Sequence, residues 1–488
     1  MKIAIRVDAE AELGSGHVVR MLTLAGALAR RGADVWFVAR RMPPHLADAI
    51  EAQGHELTII ADGNDWQLPV SAWPEAAQRR DAEASCEAIG DADWRVVDHY
   101  GLDRIWERAV GGRILAVDDL GRDHAVTVLL DQNLYADPGA RYRPDAACIS
   151  LLGPRYALLR PEFASARLNL AQRAEPVLRM LLFMGGMNDG GATLRALDAI
   201  EFATLGTVPL DIVVGATHAD QAIIEHRVST NPMWTLHVQA NNMATLMADA
   251  DLGIGAGGTA TWERCSLGLP TVAVELADNQ RVLLAEGGAA GLFWPLERVA
   301  TVPDLAMAIR NLFDDTAARH AMTSACLALV DARGTDRVAD FLTLDIRRAT
   351  SADCDRLHAW RNHPRIRSVS HQAGEITLEN HRVWFARALA DPDRLLYVGE
   401  QDRMPVGIVR FDRLGRDAEV SIYLAPDRIG TGIGPVLLLW GELALRAAWP
   451  DLKGVTASVR PGNAASERLF EQCGYVPTPG GYWKRIGV

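Results

Sequence analysis

The 488-residue chain has no apolar run long enough to cross a bilayer, no C-x-x-C pair and no glycine-rich loop carrying the lysine of a Walker A motif. The first absence sets aside a membrane-spanning protein. Met1 leads straight into an apolar strand, with no charged n-region or h-region before it, so a soluble, cytoplasmic protein without a membrane partner is expected. The second absence leaves six scattered cysteines: Cys86, Cys148, Cys265, Cys326, Cys354 and Cys473. They fit unpaired, mostly buried thiols in a reducing compartment, and make no case for a metal site or a disulfide framework. The third disfavours an NTP-hydrolysing P-loop. Positive charge is not in excess either. The net charge is −12, which argues against nucleic acid as a partner. No Pro/Gly/Ser-rich linker divides the chain, so its parts are expected to pack directly, the last on the middle one.

What remains is globular: 49% hydrophobic and 23% charged residues. The length allows roughly three domains of ~150 residues. In the first third, short apolar runs alternate with helical stretches. Strands are expected at Lys2–Val7, Asp34–Val38, Leu57–Ile60, Trp94–Val97, Arg113–Val117 and Val126–Asp131. A second series runs through Leu178–Met184, Leu210–Val214, Trp234–Val238, Leu252–Ile254 and Thr271–Val274. Such alternation predicts an α/β fold: two Rossmann-type lobes, each with a doubly wound parallel sheet, facing each other across a cleft. From Leu344 the strands crowd together, at Leu344–Ala349, Leu395–Glu400, Val406–Arg410, Val420–Leu424 and Val455–Val459, with an amphipathic helix at Val436–Ala448. That is the pattern of a mixed, largely antiparallel domain. The expected units are 1–160, 161–342 and 343–488.

Gly14-Ser15-Gly16-His17, with Arg20 after it, follows the first strand and opens a helix. Glycines let backbone turn tightly beside a ligand, and open α/β sheets hold ligands at such strand ends. His17 is placed there as an acid or base; a capping histidine in a plain turn is the alternative. Arg6 and Asp8 flank the exit of the first strand, Asp98-His99-Tyr100 end the fourth, and Asp118-Asp119 the fifth. In the second lobe, Gly185-Gly186 and Gly257-Gly258-Thr259 follow strands. Free N–H groups at such turns suit the diphosphate of a nucleotide sugar. Glu263, one turn on, suits ribose hydroxyls, with a solvated helix carboxylate as the alternative.

Arg6-x-Asp8, Gly14-x-Gly16-His17-x-x-Arg20, Asp98-His99-Tyr100, Asp118-Asp119, Gln132-Asn133, the Leu152–Phe163 segment with Tyr156 and Arg160, and Met184-Gly185-Gly186 together resemble the UDP-sugar hydrolase family of pseudaminic acid biosynthesis. The resemblance covers roughly residues 1–340. That family is similar to the GT-B glycosyltransferases, so a GT-B-like pair of lobes is implied. It also implies release of UDP from UDP-2,4-diacetamido-2,4,6-trideoxy-β-L-altropyranose by water, with inversion and without a metal. His17 would be the base, with Asp8, Asp98 or His99 orienting it or holding the sugar. Tyr100 and Tyr156 would pack against the sugar or support the core, and Asn133 and Arg160 join the substrate set. Asn279 and Gln280 resemble a pair at the sugar side of such clefts. Where the family often carries serines, this chain has Gly257-Gly258-Thr259, which leaves Thr259 alone to offer a side chain.

Ile429-Gly430-Thr431-Gly432-Ile433-Gly434, then Asn463-x-x-Ser466 and Cys473-Gly474-Tyr475, resemble the GNAT N-acetyltransferases over residues 345–488. The resemblance implies acetyl-CoA held by this loop with Tyr423, Leu424, Asn463 and Ser466, and Glu419 as a base for an amine. Two positions depart from the family. Ile429 stands where Gln or Arg is usual, and Phe470 stands where a tyrosine acid is frequent, so a binding but weakly active domain stays open. The Ile376–Phe385 segment, with His381, Trp384 and Phe385, resembles the substrate-side helix of the sugar-nucleotide amine acetyltransferase of the same pathway. Its product is the hydrolase's substrate, so a fusion of consecutive steps is chemically coherent. The rivals are a hydrolase whose GNAT domain uses another amine, a GT-B glycosyltransferase, and a nucleotide-sugar-binding regulator. Sugar stereochemistry and oligomeric state stay open.

Overall fold

The computed structural model describes residues 1–9, 16–60, 73–142, 148–173, 175–185 and 189–486. These residues form three sheets. The first is parallel: β1 (Lys2–Val7), β2 (Asp34–Ala39), β3 (Glu56–Ile59), β4 (Trp94–Asp98), β5 (Ile114–Val117), β6 (Val128–Asp131) and β7 (Ile149–Leu152), in spatial order β3-β2-β1-β4-β5-β6-β7. The second is β8 (Met180–Phe183), β9 (Leu210–Val214), β10 (Trp234–Val238), β11 (Leu252–Ala256), β12 (Thr271–Val274) and β13 (Trp294–Leu296), in order β10-β9-β8-β11-β12-β13. β5 and β12 are buried throughout, as strands covered on both faces must be. Each sheet reverses its strand order once, at β1/β4 and at β8/β11. Such a switch opens a crevice beyond the strand ends, where ligands bind.

The third sheet comprises β14 (Leu344–Arg348), β15 (Arg394–Gln401), β16 (Met404–Leu414), β17 (Asp417–Leu424), β18 (Gly454–Ala457), β19 (Val476–Thr478) and β20 (Gly481–Arg485). All its pairs are antiparallel except β17 with β18, which pair only from Asp417–Gly454 to Glu419–Thr456 and then part. Every expected strand is present, with ends displaced by a few residues. β7, β13, β19 and β20 are additional. Of these, β7, β13 and β19 lie at sheet edges, and Pro295 and Pro477 within β13 and β19 are tolerated only there.

Eight helices carry the rest of the argument: α1 (Gly16–Ala29), α2 (Glu75–Ile89), α3 (Ala260–Ser266), α4 (Gly334–Thr343), α5 (Cys354–Asn362), α6 (Leu378–Ala390), α7 (Ile433–Ala448) and α8 (Ala464–Gln472). The third sheet's domain packs on α4, the last helix of the expected 161–342 unit, and together with it on the first lobe. The reason lies in α4. Its apolar residues Val338, Phe341 and Leu342 share one core with Val18, Met21 and Trp94 of the first lobe and with Ile433, Val436 and Trp440 of α7. The Trp440 ring stacks on Phe341 at 5.0 Å and meets Trp94 edge-on at 6.1 Å. Arg113 lies 4.4 Å over the Trp94 ring and pairs with Asp345 at 2.9 Å. Among the described residues no helix is long and apolar enough to cross a membrane.

Candidate active site

β1 and β4 are neighbours, so their C-terminal ends deliver Asp8 and Asp98 to one crevice. α1 opens beside them with His17. His17 Nδ1 lies 2.6 Å from Asp98 Oδ1. A carboxylate only accepts, so Nδ1 carries the proton and Nε2 is the basic nitrogen. Among the described residues no hydrogen-bond donor or acceptor meets that Nε2. Arg20 donates to both Asp98 oxygens, from Nε at 2.5 Å and Nη2 at 2.6 Å. Burial alone would raise the Asp98 pKa, but the Arg20 charge and the hydrogen bonds from Arg20 and His17 outweigh it and hold the carboxyl well below the ordinary range. The Tyr100 ring meets His17 edge-on at 4.7 Å and its hydroxyl donates to Asp119 at 3.1 Å. Asp118 is spent on its own loop, accepting from the N–H groups of Leu120, Gly121 and Arg122.

Asp8, expected among the catalytic groups, is saturated. It accepts from Arg6 Nη1 (2.6 Å) and Nη2 (3.0 Å), from the Arg40 N–H (2.7 Å) and from His99 Nε2 (3.2 Å). These bonds tie the ends of β1, β2 and β4 together, which makes Asp8 an anchor. His99 Nδ1 accepts the Gly101 N–H at 2.9 Å, so Nε2 donates to Asp8; burial lowers the ring's pKa and keeps it neutral. Arg6 also pairs with Asp81 of α2 at 2.9 Å. Asp81 in turn accepts from Arg40 Nε (2.6 Å), Ser85 (3.0 Å) and Trp106 Nε1 (2.8 Å). Sequence analysis singled out neither Asp81, on α2, nor Arg40, just after β2.

The other first-lobe positions divide. Gly16 has open space where a Cβ would stand, while Gly14 and Ser15 lie outside the described residues. Asn133 donates its N–H to Asp131, whose carboxyl burial pushes up to about 6. Tyr156 is buried in the core of the first lobe with Arg155 over its ring, so it supports packing and does not face a sugar. Arg160 pairs with Glu162 and reaches Glu263 on α3, each at 3.1 Å.

At the second switch point, Gly185 has φ +130° and open space within 4 Å of where a Cβ would stand, while Gly186 lies outside the described residues. A Cβ at Gly257 would stand 2.9 Å from Leu284, so packing alone demands that glycine. A Cβ at Gly258 would stand 3.8 Å from Gln280 Nε2, and Thr259 and Asn279 are exposed. Gln280 Oε1 accepts the Leu276 N–H at 2.9 Å, leaving its amide nitrogen toward the loop. Glu263 shares its carboxylate with Arg160; burial raises its pKa against that charge. Sequence reading passed over Arg264. This guanidinium is buried beneath the Gly255–Thr259 loop, donates to the Ala256 carbonyl at 2.6 Å and forms no ion pair among the described residues. A buried cation without a carboxylate favours an anion on the loop above it.

In the third domain, Gly430 and Gly432 take φ +87° and +96° with open space around both, as a loop presenting N–H groups to a ligand requires. Ile429 is partly buried and Thr431 exposed. Ile433 and Gly434 are buried: the first sits in the core shared with the first lobe, the second against Leu469. Their side chains serve packing, so only their backbone can face a ligand. Leu424 packs toward that same core. Tyr423, expected at acetyl-CoA, turns to the opposite sheet face, where its hydroxyl donates to the Leu357 carbonyl at 3.4 Å. Asn463 caps α8 through the Ser466 N–H and donates to Ser466 Oγ at 2.9 Å, so the two are engaged with one another. Phe470 lies in the core against Tyr475. Glu419 is partly buried on β17, on the face of Ser421 and Tyr423.

Residues 343–476 match the acetyltransferase (GNAT) domain family. The spore coat polysaccharide biosynthesis protein SpsG of Bacillus subtilis is 24% identical over 350 residues, covering 70% of this chain and 98% of that protein. A UDP-2,4-diacetamido-2,4,6-trideoxy-β-L-altropyranose hydrolase of Campylobacter jejuni is 25% identical over 265 residues, 51% of this chain and 83% of the hydrolase. The crystal structure of Acinetobacter baumannii MurG matches with a TM-score of 0.50 at 16% identity, over 70% of this chain and 98% of MurG, a likeness of fold. The chain joins a GT-B-like pair of Rossmann-type lobes, homologous over part of their length to the altropyranose hydrolase, to a C-terminal GNAT domain.

Proposed function

We propose that the two lobes hydrolyse UDP-2,4-diacetamido-2,4,6-trideoxy-β-L-altropyranose to UDP and the free sugar, as a step of pseudaminic acid biosynthesis in the cytoplasm. The C-terminal domain N-acetylates the 4-amino precursor of that sugar with acetyl-CoA. The working units are residues 1–160, 161–342 and 343–488. The observation that carries the reading is the buried Asp98–His17 pair at the strand switch, whose Nε2 meets no partner among the described residues, in a chain with a hydrolase relative.

In this reading His17 Nε2 takes a proton from water as the water attacks the anomeric carbon. The C–O bond to UDP breaks, and the configuration inverts. Asp98 stabilises the imidazolium that forms, and Arg20 keeps Asp98 ionised and in place. One positioned base contributes about 10²–10⁴-fold in rate. UDP departs as an anion, which the N–H groups after β8 and β11 and the Arg264 charge favour. In the GNAT domain, the open loop at Gly430–Gly434 suits the pyrophosphate of acetyl-CoA, which supplies the activated acetyl group.

UDP release from the purified diacetamido sugar nucleotide, with no added acceptor, tests the first half. His17→Ala is expected to abolish it. Release that requires an added sugar acceptor would point to a glycosyltransferase instead. Mass spectrometry of UDP-4-amino-4,6-dideoxy-N-acetyl-β-L-altrosamine incubated with acetyl-CoA tests the second half.

A further inference from the structure

The GNAT domain holds a pocket that the hydrolytic reading does not use. It lies between α5, α6 and the β15–β17 sheet face, and is lined by Leu357, His381, Trp384, Phe385, Arg410 and Tyr423, with Ser421 at its margin. Side chains alternate along β17, so Ser421 and Tyr423 face this pocket while Leu424 turns to α7. β17 leaves β18 after Glu419, so the strand edge beside Ser421 and Tyr423 is unpaired. That open edge leads directly into the Gly430–Gly434 loop. The pocket is therefore next to the place where a thioester held by the loop would arrive.

His381 is its one buried imidazole. The ring is 4% exposed and stands among Trp384 (5.5 Å between ring centres), Phe385 (5.8 Å) and His358 (5.3 Å). Its Nε2 is buried and has no hydrogen-bond partner among the described residues. In the Nδ1-protonated tautomer Nε2 offers a lone pair. Buried acceptors are seldom left unmet, and this one lines a pocket. A donor from a ligand would satisfy it.

We propose that His381 Nε2 accepts the proton released by the amine that the GNAT domain acetylates. The amine nitrogen attacks the thioester carbonyl, a C–N bond forms and the C–S bond breaks. Coenzyme A leaves as thiolate. The amine's proton passes to His381 and from there to the thiolate or to solvent, so the step ends as amide plus thiol. This assignment moves the base from Glu419, which does not line the pocket, to α6. It also removes the need for an acid at Phe470. The groups facing the ring are Cys354, Asp355, His358 and Arg361 on α5, Arg410 on β16 and Tyr423 on β17. Burial lowers the ring's pKa and so favours its neutral, receptive form.

The proposal rests on acetyl transfer by this domain, and its test separates the two. Thiol release by the full chain is followed with acetyl-CoA and UDP-4-amino-4,6-dideoxy-N-acetyl-β-L-altrosamine across pH 5 to 9. In His381→Gln, kcat is expected to fall about 10²-fold or more, with the KM for acetyl-CoA changed by no more than about twofold and the acidic limb of the profile lost. A wild-type circular dichroism spectrum and melting curve of the same variant report that it is folded. A kcat within about threefold of wild type, or loss of the acidic limb in Glu419→Gln instead, overturns the assignment. Nitrogen-15 NMR of the wild-type imidazoles decides independently of any amine. An Nδ1-protonated ring that stays neutral at pH 7 is expected, and an Nε2-protonated or charged ring overturns it. If the amino sugar is left unacetylated while the ring is as expected, the substrate reading fails and the proton acceptor stands.

Discussion

Asp98→Asn separates chemistry from scaffolding at the first site. Asp98 accepts two bonds from Arg20 and one from His17, and all three groups are buried. Replacing the carboxylate by an amide leaves Arg20 as a buried cation without its counter-charge. Breaking such a pair costs about 3–5 kcal/mol. At about 2–4 °C per kcal/mol for a unit the size of the first lobe, its melting temperature should fall by roughly 6–20 °C. The amide can also turn its N–H toward His17 Nδ1. That drives the ring proton to Nε2 and removes the base, a loss of about 10²–10⁴-fold in kcat. Asp81→Asn is the matched control. It strips Arg6 and Arg40 of a buried carboxylate in the same lobe but has no bond to His17. Both variants are assayed for UDP release at 25 °C, with the folded fraction measured by circular dichroism. Asp98→Asn should lose stability and turnover, Asp81→Asn stability alone. Equal kcat values in the two variants, per folded molecule, would refute the role given to Asp98.

Two glycines of one loop should behave oppositely. Gly257→Ala forces a Cβ to within 2.9 Å of Leu284 and should cost about 1–3 kcal/mol in urea unfolding, whereas Gly258→Ala, with its neighbour at 3.8 Å, should fold normally but bind UDP about tenfold more weakly by calorimetry. Unchanged UDP affinity in Gly258→Ala would remove the loop from the site. The pH dependence follows from Asp8 and Asp98, whose folded pKa values lie below the ordinary carboxylate value because arginine charges outweigh burial. Their contribution is complete above the unfolded pKa of about 4 and is lost as pH falls through the folded values. Urea midpoints should therefore drop steeply below about pH 4, and less steeply in Asp98→Asn; a flat profile from pH 5 to pH 3 contradicts this. Trp440→Ala, at the joint between α7 and the first lobe, should cost about 3–5 kcal/mol and split a single calorimetric transition into two; an unaltered melting curve would show that the joint carries no coupling.

Both parallel sheets were legible because their central strands are continuous apolar runs followed by glycine or acidic turns. Three edge strands were not, although the edges β3, β10 and β14 were. β7, β13 and β19 have a neighbour on one side only, are three or four residues long, and in two cases contain proline. His17, Asp98 and Arg20 were legible as a set because all three follow strand ends in the chain. Their distribution of work was not, since it depends on which carboxylate each arginine reaches. Arg6 reaches Asp8 and so occupies it, while Asp98 goes to Arg20 and His17. Arg264 escaped notice for a related reason. A cation in a short helix reads as exposed until the packing around Ala256 shows it underneath the loop. At Asn463 and Ser466 the spacing is that of a helix cap as much as of a ligand contact, and the structure realises the cap.

The limits of the family match and the limits of packing fall in different places. The GNAT match begins at residue 343, but Leu344, Ile433, Val436 and Trp440 are buried against Phe341, Leu342 and Trp94 on the other side of that line. At about 1.5–3 kcal/mol for each large apolar side chain, these four residues contribute roughly 6–12 kcal/mol of burial. That is comparable to the whole net stability of a domain, about 5–15 kcal/mol. Three of them, Ile433, Val436 and Trp440, lie in the first turns of α7, immediately behind the open Gly430–Gly434 loop. A loop that must present N–H groups in one geometry needs its helix held, and here the hold comes from outside the GNAT sheet. α4 supplies it, lying between α7 and α1, the helix whose first turn carries His17 and Arg20. The two candidate sites thus sit at the starts of two helices that flank a third. Their separation is set by a common core and not by a tether, so neither half's loop geometry is independent of the other's packing.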